Sequence, residues 1–165
     1  MTTDNLNSDK YPFYDWISDR YNYKNMSIGN PLKPLVLWAN TNSMLDKYYK
    51  QPNINLNDDN KDNAIRNDMR HITGLALAKQ EYPEPIAYTL GYIKEAGDGL
   101  KELLFKKPYL NMSQKYFDDL NTDLKNNELG INYTTLYPDA TPQEIMDFAY
   151  NKSINKNNLY NLLRK

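Results

Sequence analysis

Cysteine is absent from this 165-residue chain. Disulfides, thiolate zinc sites, iron–sulfur clusters and cysteine nucleophiles are excluded together, and the absence fits any compartment. Valine occurs once, at Val36. Strand-rich proteins rely on Val, Ile and Thr, so a chain with many Leu, Lys, Asn and Asp points to helices joined by polar loops. Long apolar runs are also missing. The longest, Leu35-Val36-Leu37-Trp38-Ala39, is far too short to span a bilayer. The opening MTTDNLNSDK lacks a basic and an apolar segment, so no signal peptide is expected. Neither sign of charge dominates: 20 basic against 21 acidic residues give a net charge of −1. No basic stripe runs along the chain, which argues against nucleic acid as a partner even though Tyr, Asn and Lys interleave at Tyr21–Lys24 and Tyr48–Lys50. There is no glycine-rich phosphate loop, no nucleophile-elbow serine and no helix-borne histidine pair, because His71 is the only histidine.

What the chain does have is aromatic and polar. Tyrosine occurs 15 times, and the excess of Asn, Lys, Tyr and Ile fits an AT-rich genome. The length suits one domain, able to hide about two-thirds of its unfolded surface without a disulfide. Residues 1–60 read as an extended, aromatic-rich arm broken by Pro12, Pro31, Pro34 and Pro52, with a helix near 35–50. The aromatic content is too high for a disordered tail. Tyr11, Phe13, Tyr14, Trp16, Tyr21, Tyr23 and Trp38 are candidate partner-binding residues, since Tyr and Trp make large contacts at low entropic cost.

Residues 61–165 read as a helical domain. Asn60 or Asp62 caps a helix running to Glu81, with Ile65, Met69, Ile72 and Ala76 as its buried stripe. Tyr82-Pro83-Glu84-Pro85 opens a second helix. Ala87, Gly91 and Glu95 form a stripe of small residues there that lets a neighbour approach closely. Gly97-Asp98-Gly99 is expected to end it, with a short helix from Leu100 to Lys106. A third helix starts after Ser113, carries Phe117, Leu120 and Leu124, and is expected to stop at Gly130. Thr141-Pro142-Gln143-Glu144 is a capping box, and a last helix is expected from about Asn157.

Chemistry concentrates in a set of polar residues on three of these helices: Arg70 and His71, then Glu95, then Asp119, Asp123, Asn126 and Asn127. Asp119 and Asp123 share a helix face, where like charges repel. That clustering makes sense when a histidine or a cation faces it. The preferred reading is a hydrogen-bonded structural network that locks the helices in register, with Asn126 and Asn127 tying down the chain after Gly130. The catalytic alternative takes His71 as general base, with Glu95, Asp119 and Asp123 as acid or orienting carboxylates. A hard divalent metal held by the same oxygens is the remaining alternative; the main reading has no cofactor and no metal.

The order Arg70-His71, then Glu95, then Asp123-x-x-Asn126-Asn127-x-x-Gly130 resembles a helical domain found in bacteriophage proteins and in bacterial toxin-like or secreted proteins. The resemblance covers residues 62–131. It implies that Arg70, His71, Glu95, Asp123, Asn126, Asn127 and Gly130 are the shared polar and turn positions. Lys94 stands where many such domains have a histidine, which implies a scaffold kept without its activity.

The sequence as a whole leads to a mainly α chain: one irregular helical domain with an extended N-terminal arm. The expected role is a non-enzymatic structural or interaction protein, a bacteriophage virion-associated component that docks on other protein subunits, with no membrane partner. Its expected location is the virion, or the cytoplasm if the chain is not phage-encoded. A hydrolase directed at cell-wall material, or a toxin-like effector, is the alternative.

Overall fold

Ile65, Met69, Ile72 and Ala76 recur at helical spacing, and all four are buried in the computed structural model, which describes residues 12–56, 60–105 and 114–162. They lie on the helix around which the others are arranged. Among the described residues six helices follow one another: α1 (Pro12–Arg20), α2 (Lys33–Tyr48), α3 (Asn60–Glu81), α4 (Glu84–Phe105), α5 (Gln114–Leu136) and α6 (Pro142–Leu162). A single 3-10 turn, Tyr23–Asn25, joins α1 to α2, and the described residues contain no strand. No helix among them is long and apolar enough to cross a membrane.

Every residue from His71 to Ala78 is buried. A helix apolar around its whole circumference must be covered on all sides, and α2, α4, α5 and α6 all pack on α3. Each fully buried Leu, Ile or Met contributes about 1.5–3 kcal/mol over leaving it in water, so the middle of α3 is the principal source of cohesion.

Cross-helix contacts set the directions. Lys33 pairs with Glu81 at 2.6 Å while Tyr49 reaches the Arg66 carbonyl at 3.4 Å, so α2 runs antiparallel to α3. Lys156 binds Asp68 while Gln80 donates to the carbonyls of Pro138 and Ala140, so α6 is antiparallel to α3 as well. By contrast α5 is parallel to α3: Asn67 meets Asp123, and His71 meets Asn127.

Gly130 fixes that parallel contact. A Cβ placed there would lie 2.1 Å from the Ile72 carbonyl oxygen and 3.0 Å from the Ala76 nitrogen, both of them backbone atoms that have no rotamer to retreat into. The helix expected to stop at Gly130 instead runs on to Leu136, and no glycine among the described residues has a positive φ. Glycine is used here for close approach of two backbones. Two other expected breaks are absent for a related reason. The Gly97–Gly99 segment lies inside α4, which continues to Phe105, and α6 is one helix from the capping box to Leu162, with no new start near Asn157. Glycine disfavours a helix interior by only about 1 kcal/mol, less than a helix gains from continuing to pack. Ser113 and Lys106 lie outside the described residues.

The N-terminal segment also differs from expectation. Over its described length it coils into α1, the 3-10 turn and α2, the last being the helix foreseen near 35–50, and α1 packs back on α2. Asn40 on α2 holds the reversal: its Oδ1 accepts from the Tyr23 N–H at 3.1 Å, and its Nδ2 donates to the Ser18 hydroxyl and the Tyr21 carbonyl.

The capping box forms as expected. The Thr141 N–H and hydroxyl both donate to one Glu144 carboxylate oxygen at 2.8 Å, and the Glu144 N–H returns to the Thr141 hydroxyl at 3.3 Å. These bonds hold the Glu144 carboxyl below its ordinary value of 4.5. Its stabilising effect is therefore complete above that value and is lost as pH falls through the folded one. The difference in Tm between wild type and Glu144→Gln is expected to shrink as pH is lowered from neutrality to below 4. A difference that grows on acidification contradicts this. Gly130→Ala is expected to destabilise by about 2–3 kcal/mol in urea titration, although the same change in an uncrowded helix stabilises.

Candidate functional site

The inner face of α5 reads Asp123, Asn126, Asn127, Gly130, Ile131, Thr134, all buried except the half-buried Asp123 and recurring with the helical period. Its first half is polar and its second half is close-packed. Against it α3 sets Asn67, Asp68 and His71, then Ile72 and Ala76. Because the helices are parallel, the two polar halves coincide. The Asn67 amide donates to Asp123 Oδ1 at 3.0 Å, and the Asn126 amide to Asp68 Oδ1 at 2.6 Å. His71 Nδ1 meets Asn127 Oδ1 at 3.1 Å. Asn126 and Asn127 are buried, and His71 is 1% exposed.

Three elements converge on the imidazole. Its Nε2 lies 3.2 Å from the Lys94 ammonium on α4 and 3.4 Å from Asp123 Oδ2. The Trp38 ring on α2 stands edge-on to it, with centroids 6.2 Å apart. Nε2 thus stands between a group that only donates and a carboxylate that only accepts. The buried Asn127 Nδ2 has no hydrogen-bond partner and is packed where a Gly91 Cβ would come within 3.1 Å. This is the close approach foreseen along the Ala87–Gly91 stripe, and its occupant is the Asn127 side chain.

The second pair on α3 is anchored from the other side. Lys156 of α6 donates to both Asp68 oxygens, at 3.1 and 3.0 Å. Asp68 is buried, and the half-exposed Lys156 brings its charge from the surface.

Of the residues singled out from sequence, His71, Asp123, Asn126 and Asn127 share this layer. Arg70, one residue from His71, faces the cavity described below. Asp119 is exposed one turn before Asp123 and makes none of the contacts that join the described residues of the layer. Glu95 follows Lys94 on α4, but its side chain lies outside the described residues. Asn126 and Asn127 are mid-helix and brace α3, with no loop after Gly130 to tie down. No group of three or more His, Asp or Glu side chains among the described residues is arranged to hold a metal ion.

The aromatic candidates divide. Trp16 and Tyr21 are 48% and 50% exposed. Tyr23 is buried, and its hydroxyl pKa is pushed up to about 12 by burial first and by the Glu81 charge second, so it belongs to the core and presents no docking surface. Tyr14 and Trp38 are partly buried against the same core. Tyr11 and the side chain of Phe13 lie outside the described residues.

Sequence reasoning missed Asn67, Asp68, Lys94 as a partner of His71, and Lys156. Asn67 and Asp68 carried a usable signal, since each lies about one turn from His71, a residue already chosen. Lys156 carried none. The Lys33–Glu81 bridge, with the Lys33 side chain 5% exposed, was equally silent.

No protein-family model, curated protein or solved structure matches this chain.

A double-mutant cycle on Asp68 and Asn126 is expected to give a coupling of roughly 1.5–3 kcal/mol, as for a buried hydrogen bond to a charged group. Additive losses in chemical denaturation would mean that the contact contributes nothing specific.

Proposed function

We propose that the chain is a non-enzymatic interaction protein that docks on neighbouring protein subunits, the role of a virion-associated component of a bacteriophage. The observation that carries this reading is that the polar layer is spent on holding helices together. His71 is enclosed between Asn127, Lys94 and Asp123, Asp68 is shared by Asn126 and Lys156, and both axes of contact run between helices. An acid–base mechanism needs a proton-transfer pair open to a substrate, yet the described wall of the cavity beside His71 contains no carboxylate.

Docking is supported from the outside. Trp16, Tyr21, Ile28 and Leu32 all expose large apolar surface on α1 and the approach to α2. Trp16 and Tyr21 meet edge to face at 6.4 Å, and the Arg20 guanidinium lies 4.7 Å above the Trp16 ring. Tryptophan, tyrosine and arginine are the residues on which interface energies concentrate.

His71→Ala tests the reading. Removing a fully enclosed ring that bridges three helices is expected to cost about 2–4 kcal/mol of stability, with no hydrolysis of cell-wall peptidoglycan by either form. Turnover by the wild type that His71→Ala abolishes at unchanged Tm overturns the proposal. The double change Trp16→Ser, Tyr21→Ser is expected to leave Tm unchanged and to remove the chain from the assembly that carries the wild type.

A further inference from the structure

Beside the polar layer, α2, α3 and α4 enclose a cavity of about 430 Å³, within the range of about 300–1,000 Å³ typical of small-molecule sites. Its walls are of two kinds. Trp38, Leu90 and Ile93 give an apolar, partly aromatic side, while Arg70, His71 and Lys94 give a side on which every ionisable group is basic. The described wall contains no Asp or Glu, in a chain whose net charge is −1. The basic side is therefore a local arrangement and does not follow from composition.

The aromatic wall is preset. A Cβ on Gly74 would lie 2.4 Å from Trp38 Cζ3, so glycine at this position seats the indole directly on α3. The Lys94 ammonium lies 5.0 Å from the centre of that ring and 3.2 Å from His71 Nε2, so charge and π-face meet at one end of the cavity. Arg70 also feels the charge of Asp46. These residues are engaged with protein partners, and a guanidinium with five N–H donors or an ammonium with three still donates to a ligand. Ile93, 63% exposed, marks the rim and the way in.

We propose that this cavity binds a small amphipathic organic anion, with a flat apolar body lying against Trp38, Leu90 and Ile93 and an acidic head group at Lys94 and Arg70. A neutral hydrocarbon would leave the basic groups facing an apolar body, and a purely polar anion would leave the Trp38 wall unused. The combination selects a ligand with both features. This site is separate from the exposed α1 surface and does not depend on the docking role.

Isothermal titration with 2-naphthoate and its uncharged counterpart 2-naphthamide tests the proposal on the full chain, with circular dichroism as the check that each variant is folded. Saturable 1:1 binding of 2-naphthoate is expected, with the amide weaker by about tenfold or more. Lys94→Met is expected to bring naphthoate down to the level of the amide. Ile93→Trp, which fills the mouth from an exposed position, is expected to weaken both probes, while Lys24→Met, remote on the 3-10 turn, changes neither. Absence of saturable binding at roughly millimolar probe, equal affinity for acid and amide, or indifference to either Lys94→Met or Ile93→Trp overturns the proposal.

Discussion

The packing of two backbones at Gly130 is the constraint on which the rest of the architecture depends. With only hydrogen on that α-carbon, α5 settles against the Ile72 carbonyl of α3. Once that point is fixed, the parallel course of the two helices leaves one register for the turns before it. Asn67, Asp68 and His71 then face Asp123, Asn126 and Asn127. Any slip along the axis would set a carboxylate or an amide against aliphatic side chains, where an unmet polar group costs several kcal/mol. Steric contact and polar pairing therefore select the same alignment.

The division of α3 into a polar N-terminal half and an apolar middle shapes what lies around it. Toward α6 the Asp68 charge is answered by Lys156, whose stem crosses to the surface. Toward α2 and α4 the same layer opens on a cavity whose described wall carries Arg70 and Lys94 and no carboxylate. Further along, Tyr48 donates to Asp147 at 2.9 Å, and burial, followed by that bond, raises its hydroxyl pKa. Lys33 and Glu81 close the far end in a bridge roofed by the Tyr82 ring. Buried polar groups here act as registration marks, each joining residues distant in sequence.

Much of this was legible in the sequence, and the parts that were not share a cause. Helical class, the Ile65–Ala76 stripe, the entry to α4 and the Thr141–Glu144 box follow from local periodicity and capping, which need only near neighbours in the chain. The grouping of His71 with Asp123, Asn126 and Asn127 was legible because a helix face is fixed by spacing alone. The readings that failed concern glycine and the reach of a helix face. Gly97, Gly99 and Gly130 look like stops, because a glycine that permits a turn and one that permits a close contact are the same letter. Asp119 was assigned to the layer from its four-residue spacing, but where a helix rolls away from its partner depends on that partner. Lys33, Lys94 and Lys156 are ordinary surface letters until the fold brings Glu81, His71 and Asp68 to them.

The enclosure of His71 to Ala78 by four other helices has a dynamic corollary. Local fraying opens the ends of a molecule while leaving its middle closed. Amide protons in that stretch can reach solvent only when α2, α4, α5 and α6 have all been lifted away, which amounts to losing the fold. The centre of α3 is thus expected to exchange most slowly among the described residues, at a rate set by global unfolding.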